Sequence, residues 1–267
     1  MITSLTNEKV KYVRSLYRRN MRQGERTFVI EGVRLFEEAL ASGAAIKLAL
    51  YDEETLSGTE RGRALLEKLR KAPFESWSTS PKVLESAAET VSPQGIVAAV
   101  AMPEWQYPEL SGPSLVVILD GLQDPGNLGT IMRSAEASGV KAILLTPDCV
   151  DLFNPKVVRA AMGAHFRLPS FPDTGWDGIT RMLGEGTQIV VTEAGADTAY
   201  YDIDWRRPSG LVIGNEAHGI GPAARKIATV RAAIPMVGGA ESLNAGVAGS
   251  IIMFEALRQR VTDCPDS

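Results

Sequence analysis

The chain has 267 residues, of which 45% are hydrophobic and 22% are charged, as in a typical globular protein. Two cysteines and two histidines, without paired ligand spacing, exclude a disulfide-stapled miniprotein and make a metal centre an unexpected feature. No apolar run approaches the roughly 18 residues of a membrane span, and the polar N-terminus is unlike a signal peptide. We therefore expect a cytoplasmic protein with no membrane partner and no metal.

Positive charge is concentrated near the N-terminus, although the formal net charge of the chain is −4. Residues 1–26 contain seven lysine or arginine side chains and two glutamates. A basic segment on an acidic chain is compatible with contacts to a phosphate backbone, and equally with a solvated helix face. The candidate nucleic-acid contacts are Lys9, Lys11, Arg14, Arg18, Arg19, Arg22 and Arg34.

Hydrophobic spacing divides the first hundred residues into alternating helices and strands. A helix is predicted over 6–23, and Gly24 is expected to end it. The elements predicted after it are a strand at 27–30, a helix at 33–40, a strand at 46–51, a helix at 60–71 and a strand at 95–100. This alternation predicts a small α/β domain over residues 1–102.

A proline-rich segment separates this region from longer, more apolar strands. Residues 103–113 contain three prolines and a glycine, which is typical of an interdomain linker. Strands are predicted beyond it at 115–119, 142–145, 188–192, 211–213 and 232–235. Helical patterns lie near 128–138, 155–162, 176–183 and 243–259. Almost continuously apolar strands that alternate with helices predict a parallel sheet covered on both faces, so residues 114–267 form the second predicted domain.

Three polar, glycine-rich loops follow strands of the second domain, at the edge where open parallel sheets bind ligands. They comprise residues 120–133, 213–222 and 234–244. In the first loop Asn127 is a candidate N-cap, and Arg133 lies about two turns into the next helix. In the second loop Glu216 supplies a carboxylate. Each feature alone has a structural explanation as a turn, cap or ion pair, whereas three such loops at one end of a sheet indicate a ligand site.

The loops lack the fingerprints of the common nucleotide enzymes and hydrolases. None contains the Gly-x-x-x-x-Gly-Lys-Ser/Thr phosphate loop, and no Gly-x-Gly-x-x-Gly follows the first strand. A Gly-x-Ser-x-Gly nucleophile elbow is missing as well. The sequence therefore disfavours a kinase, an NTPase, a typical dinucleotide enzyme and a hydrolase.

Taken together, the loops resemble the three motifs of the SpoU (TrmH) family of RNA 2′-O-ribose methyltransferases, within the SPOUT superfamily. The motifs are Asn127-Leu-Gly129-x-x-x-Arg133-x-Ala135, Gly214-Asn215-Glu216, and Ile234-Pro235-Met236 through Ser242-Leu243-Asn244. The segment from Asn154 to Ala164 resembles the family's intermediate helix, with Ala161 where the family often has serine. More loosely, the region from Phe28 to Ile96 is similar to the family's RNA-substrate-binding domain.

This resemblance implies an α/β fold with a C-terminal parallel-sheet SPOUT domain, which contains a deep trefoil knot, and a smaller N-terminal α/β RNA-binding domain similar to ribosomal-protein modules. It implies S-adenosylmethionine as the cofactor and a homodimer as the assembly. The cofactor-binding residues it implies are Thr192, Gly214, Asn215, Ile234, Met236 and Leu243. The catalytic residues it implies are Asn127, Arg133, Glu216, Ser242 and Asn244.

The implied reaction is methylation of a ribose 2′-hydroxyl in RNA, with 23S rRNA favoured as the substrate and a tRNA 2′-O-methyltransferase as the alternative. Because arginine stays protonated at neutral pH, we expect Arg133 to hold an RNA phosphate and polarise the 2′-oxygen. The other four catalytic candidates would orient Arg133, the loops and the ribose. A non-catalytic RNA-binding protein and a non-RNA enzyme that binds another nucleotide in the same pocket are further alternatives.

Overall fold

The computed structural model describes residues 1–107 and 114–261 and divides the chain into two compact units. The first unit combines residues 1–104 with residues 153–166. The second combines residues 105–152 with the chain from residue 167 onward. Most of the predicted linker, residues 108–113, lies outside the described residues, as does Cys264. No helix in the described part is long and apolar enough to cross a membrane.

The described residues form eleven strands and eleven α-helices. The strands are β1 (Thr27–Glu31), β2 (Ile46–Tyr51), β3 (Glu75–Ser78), β4 (Ile96–Ala101), β5 (Leu115–Asp120), β6 (Ala142–Leu145), β7 (Ser170–Phe171), β8 (Gln188–Thr192), β9 (Thr198–Ala199), β10 (Ser209–Gly214) and β11 (Val230–Ala233). The helices are α1 (Glu8–Ser15), α2 (Arg19–Glu25), α3 (Val33–Ala41), α4 (Glu53–Ser57), α5 (Glu60–Arg70), α6 (Pro81–Ala87), α7 (Pro125–Ala137), α8 (Pro155–Ala161), α9 (Trp176–Leu183), α10 (Pro222–Ile227) and α11 (Ala245–Val261).

A mixed four-stranded sheet, in the order β1-β4-β2-β3, forms the centre of the first unit. Strands β1 and β2 run antiparallel to β4, and β3 runs parallel to β2. Side chains alternate between the two faces of a strand, and both faces here are covered. Phe28 and Ile30 pack in one apolar cluster with residues of α3 and α5, while Val29 packs in a second cluster with residues of α1 and α6.

The helix predicted over 6–23 is wrong in its length, because the chain breaks it into α1 and α2. Arg22 of α2 is buried, with 4% of its surface exposed. Its guanidinium Nη1 donates hydrogen bonds to the carbonyls of Leu16 (3.0 Å) and Tyr17 (2.7 Å), just beyond the end of α1. Gly24 lies inside α2 and does not end it; the helix ends where Arg26 adopts the left-handed conformation at φ 48°.

The second unit contains a seven-stranded sheet in the order β7-β6-β5-β10-β8-β11-β9, and all neighbouring strands are parallel. Residues of α9 and α10 pack with the sheet on one face. On the other face α11 lies close to β10, because a Cβ on Gly249 would sit 2.5 Å from Cδ1 of Ile213. The predicted α/β class, with a parallel sheet covered on both faces, is confirmed. The trefoil knot stays a prediction.

Helix α8 is located differently from the expectation. The predicted second domain contained residues 153–166, but this segment belongs to the first compact unit. The ring of Phe153 lies 4.9 Å from that of Phe28, and the ring of Phe166 lies 5.9 Å from it. The segment therefore supplies apolar side chains to the core around β1, a long-range pairing that hydrophobic spacing cannot predict.

Candidate active site

The carboxylate of Glu216 joins the loop after β10 to the loop after β5. Its Oε1 accepts hydrogen bonds from Nδ2 of Asn127 (2.9 Å) and from the backbone N–H of Asp124 (3.0 Å). Its Oε2 accepts from the backbone N–H of Gln123 at 3.1 Å. Strands β5 and β10 are neighbours in the sheet. One carboxylate therefore holds together the two loops that follow the carboxyl ends of these strands. Asn127 and Glu216, which the sequence predicted as site residues, are in direct contact.

Asn215 strengthens the same junction. Its Nδ2 donates to the carbonyl of Gly121 at 2.7 Å, and its Oδ1 accepts from the backbone N–H of Ala217 (2.9 Å) and of His218 (3.1 Å). Asn215 therefore shapes its own loop as well as bridging to the neighbouring one. Predicted as a cofactor contact, Asn215 has its side-chain amide engaged in holding the loop backbone.

Of Asn127 and Asn244, either of which could act as a helix cap, the structure uses only Asn244. The N-cap of α7 is Asp124, whose Oδ1 accepts from the backbone N–H of Asn127 at 2.8 Å, so the expected Asn127 cap is wrong. Asn127 lies in the first turn of α7, and its side chain is available for Glu216. Asn244 is the capping residue of α11, because its Oδ1 accepts from the backbone N–H of Gly246 (2.9 Å) and Val247 (3.2 Å).

Two cavities with common walls open beside these loops. The first, of about 490 Å³, we call the Ile234 cavity. The second, of about 670 Å³, we call the Asn215 cavity. Predicted residues that line the Ile234 cavity are Thr192, Ile234, Met236, Ser242 and Leu243. Predicted residues that line the Asn215 cavity are Thr192, Gly214, Asn215, Glu216, Ser242, Leu243 and Asn244. All the predicted site residues of the second unit therefore line one of these cavities except Asn127, which contacts Glu216 instead, and Arg133.

Arg133 lies on α7 outside the lining of both cavities. Its side chain is exposed and has no hydrogen-bond or ion-pair partner within residues 1–107 and 114–261. An exposed guanidinium with no partner in this part of the chain is available for an anionic ligand such as a phosphate.

Sequence reasoning missed Glu193, which lines both cavities. One carboxylate oxygen lies 2.7 Å from Nε of Arg225, and the other lies 3.8 Å from Nε of Arg231. Glu193 directly follows β8, so the rule that led to the three loops would have identified it as well. In the described residues no cluster of three or more His, Cys, Asp or Glu side chains could hold a metal ion.

The candidate RNA contacts of the first unit fall into two groups. Lys11, Arg14, Arg18, Arg19 and Arg34 have exposed side chains. Lys9 is half-buried, lies 2.5 Å from the carboxylate of Glu75 and stacks 5.1 Å from the ring centroid of Trp77. The prediction that Arg22 contacts RNA is wrong, because its buried guanidinium binds backbone carbonyls and cannot reach a phosphate.

The hydrogen bonds to Glu216 make its contribution to stability depend on pH. Burial raises the pKa of Glu216, but the donors from Asn127, Gln123 and Asp124 outweigh it and leave the pKa below its usual value. A lowered pKa means that the carboxylate stabilises the native state above its unfolded-state pKa, about 4.3, and loses this contribution as the pH falls through the native pKa. We expect Glu216→Gln to be destabilising at pH 7, with a cost that shrinks below about pH 4.

Urea denaturation of the wild type and Glu216→Gln between pH 3 and 7 measures this difference. The matched control is Glu185→Gln, at an exposed carboxylate of the same unit that has no partner in the described part of the chain. A cost of Glu216→Gln that stays constant with pH would contradict this assignment.

The comparisons with known proteins agree with this geometry. Residues 114–254 match the SpoU rRNA Methylase family, and residues 7–98 match the MRM3-like substrate binding domain. The chain belongs to the SpoU rRNA methylase family. The predicted family is confirmed, and the first matched range contains all three loops.

Relatives of this SpoU methylase resemble it over almost its whole length. An uncharacterised tRNA/rRNA methyltransferase from Synechocystis is 35% identical over 97% of this chain and 94% of its own. A 23S rRNA (guanosine(2553)-2′-O)-methyltransferase from Bacillus subtilis is 33% identical over 95% of this chain and 97% of its own. A crystal structure of an AdoMet-bound rRNA methyltransferase from Sinorhizobium meliloti has a TM-score of 0.84 and 32% identity, with 96% of this chain and 97% of that chain covered. The predicted methyltransferase class and its cofactor, S-adenosylmethionine, are confirmed for the family.

Proposed function

We propose that this SpoU methylase transfers the methyl group of S-adenosylmethionine to a ribose 2′-hydroxyl of ribosomal RNA, with 23S rRNA as the favoured substrate. The observation that carries the proposal is the Glu216 carboxylate, which joins the first two motif loops at the wall of the Asn215 cavity. The Bacillus relative, named as a 23S rRNA 2′-O-methyltransferase, supports the choice of RNA.

The Ile234 cavity suits the cofactor in size and chemistry. Its volume of about 490 Å³ lies within the range of roughly 300–1,000 Å³ that is typical of small-molecule sites. Apolar walls from Ala232, Ile234 and Leu243 suit an adenine ring, while the hydroxyl of Thr192 and the carboxylate of Glu193 are polar groups for sugar hydroxyls or positive charge. We propose that these residues, with Met236, hold the cofactor.

The chain itself supplies position and charge. When bound, S-adenosylmethionine contributes an electrophilic methyl group on a sulfonium. Arg133 binds a phosphate next to the reacting ribose and donates a hydrogen bond to the 2′-oxygen, a role that suits a guanidinium with no other partner in the described chain. Glu216 and Asn127 keep the loop before Arg133 in place, and Ser242 borders both cavities from the third loop. Water or a neighbouring acceptor takes the 2′-proton.

The predicted homodimer is also proposed, on the basis of the exposed face of α11. Val247, Phe254 and Val261 recur every seven residues along this helix, and each keeps about half of its surface exposed. A helix buries an apolar stripe of this kind against another element, and a second copy of the chain is one such element. The cytoplasmic location stays a prediction.

The proposed reaction is tested by incubating the protein and methyl-labelled S-adenosylmethionine with total rRNA in one reaction and with total tRNA in a parallel one. Protected 2′-O-methyl positions are then mapped by their resistance to alkaline cleavage. Label at one position in large-subunit RNA is the expected result. Label in tRNA alone would overturn the substrate, and RNA binding without transfer to either pool would favour a non-catalytic RNA-binding protein. Cofactor binding without RNA binding would favour an enzyme acting on another substrate.

A further inference from the structure

The first unit contains a cavity of its own, separate from those of the second unit. This Gly32 cavity has a volume of about 440 Å³, and its walls include Gly32, Arg34, Ser92, Gln94 and Arg159. The size falls within the range of roughly 300–1,000 Å³ for small-molecule sites, so it suits one nucleotide and excludes a double helix. None of the proposed methyl-transfer steps uses it.

One wall of the Gly32 cavity is fixed by the carboxylate of Glu31. Its Oε1 accepts from the hydroxyl of Tyr17 (2.7 Å) and the backbone N–H of Glu89 (2.9 Å). Its Oε2 accepts from the backbone N–H of Thr90 (3.2 Å) and from its hydroxyl (2.7 Å). Four donors occupy this carboxylate, so it anchors the segment at 89–90 and has little hydrogen-bonding capacity left for a ligand. These contacts hold this wall of the cavity in place through bonds within the protein itself.

Gly32 and Gln94 form an open polar surface in this cavity. Gly32 has a φ of 94°, and a Cβ at this position would lie 2.9 Å from Oε1 of Gln94. The absence of a side chain therefore lets the Gln94 amide lie close to the Gly32 backbone. Gln94 is exposed, and its amide has no hydrogen-bond partner in the described part of the chain. A side-chain amide offers both a donor and an acceptor, the pattern that reads the edge of a base.

The charges around the cavity favour one nucleotide over a run of phosphates. Arg34 is exposed and has no ion-pair partner in the described residues, so it can bind a phosphate or stack on a base. Arg159 is already paired with Glu89, with 2.8 Å between Nη1 and Oε2. The side chains of Leu35 and Met162 add apolar surface. One free guanidinium, an unpaired amide and an apolar wall together suit an unstacked base with one adjacent phosphate.

We propose that the Gly32 cavity binds a single unstacked nucleotide of the substrate RNA, with Gln94 at the base edge and Arg34 at the adjacent phosphate or base face. Sequence-specific recognition of RNA takes place mainly on such extruded bases in single-stranded regions. The cavity then selects which RNA is held, while the second unit carries out the methyl transfer. This inference rests on the proposed RNA substrate.

Binding of fluorescein-labelled single-stranded RNA hexamers to the full-length protein tests the proposal. The four probes carry A, C, G or U at the third position of an otherwise constant sequence, and anisotropy gives the Kd of each. We expect the wild type to prefer one base by about tenfold and Gln94→Ala to reduce that preference below about twofold. Arg34→Ala is expected to weaken binding of all four probes by about fivefold or more, with a smaller salt dependence.

Two further variants complete the experiment. Gln94→Glu, which lacks the amide donor, is expected to change the preferred base or to abolish the preference. Lys68→Ala removes an exposed positive charge from α5 of the same unit, does not line the cavity, and should change each Kd by less than about twofold. No base preference in the wild type, or an unchanged preference in Gln94→Ala, would overturn the proposal. Methyl transfer by the wild type is measured separately, so failure of the proposed function is distinguished from failure of this site.

Discussion

Replacing Arg133 by alanine is expected to lower methyl transfer to RNA by about 100-fold or more, while affinity for S-adenosylmethionine changes by less than about threefold. The difference between these two effects follows from the position of Arg133. Arg133 is exposed, lies outside both cavities and has no partner in the part of the chain that the structure describes. Its removal therefore breaks no hydrogen bond or ion pair within the described residues. Calorimetric titration with the cofactor and single-turnover methyl transfer to rRNA measure the two effects.

Two variants define what the Arg133 result means. Arg133→Lys keeps the charge but loses the forked donors, so we expect it to recover phosphate binding more than turnover. Lys141→Ala removes another exposed positive charge from the same unit and is expected to retain at least about half of the activity. Full activity in Arg133→Ala, or an equal loss in Lys141→Ala, would exclude the assigned role. A loss of cofactor affinity that matches the loss of activity would instead place Arg133 in the cofactor site.

Long apolar strands were the most predictable elements of this chain. The strands expected at 46–51, 142–145 and 188–192 occur with those bounds, because each is buried and its hydrophobic run is sharply delimited. Strand β3 was missed because alternate residues are exposed at the sheet edge and no apolar run marks it. The helical periodicity across 6–23 gave no sign of the break between α1 and α2, where the Arg22 guanidinium binds backbone carbonyls. Buried hydrophobic patterns follow from residue types, whereas the contacts of Arg22 with Leu16 and Tyr17 depend on the conformation of the turn between α1 and α2.

The site could be predicted as a set of loops but not as a set of contacts. Motif spacing brought Asn127 and Glu216 into the same hypothesis, yet 89 positions separate them, and only the neighbouring positions of β5 and β10 bring them together. The choice of Asp124 over Asn127 as the cap of α7 depends on loop conformation, since both residue types cap well. The burial of Arg22 likewise depends on the conformation of the chain around it and could not be predicted from the sequence. Glu193 was predictable in principle, because it follows a strand that was itself correctly located.

Gly214→Ala is expected to weaken binding of S-adenosylmethionine by about tenfold or more and to lower the free energy of unfolding by about 1–3 kcal/mol. A Cβ at this position would lie 2.4 Å from the carbonyl carbon and oxygen of Gly219 and 2.7 Å from the backbone nitrogen of Ile220. These are main-chain atoms, so the loop itself must move. The same loop is closed by two hydrogen bonds between Asn215 and Gly219, N–H to carbonyl in each direction, at 3.0 and 2.8 Å.

The expected loss of cofactor affinity follows from the walls that the two cavities share. Gly214, Asn215 and Gly219 line the Asn215 cavity, which has Thr192, Ser242 and Leu243 in common with the Ile234 cavity proposed for the cofactor. A shifted loop therefore changes the shape of this shared site and loosens the Glu216 junction. Gly238→Ala is the matched control, because a Cβ there meets no atom within 4 Å and the residue lies in the third motif loop. We expect that control to stay within about 0.5 kcal/mol of the wild type in urea denaturation. Equal cofactor affinities for Gly214→Ala and the wild type in calorimetric titration would show that the close approach of these two loop segments does not shape the cofactor site.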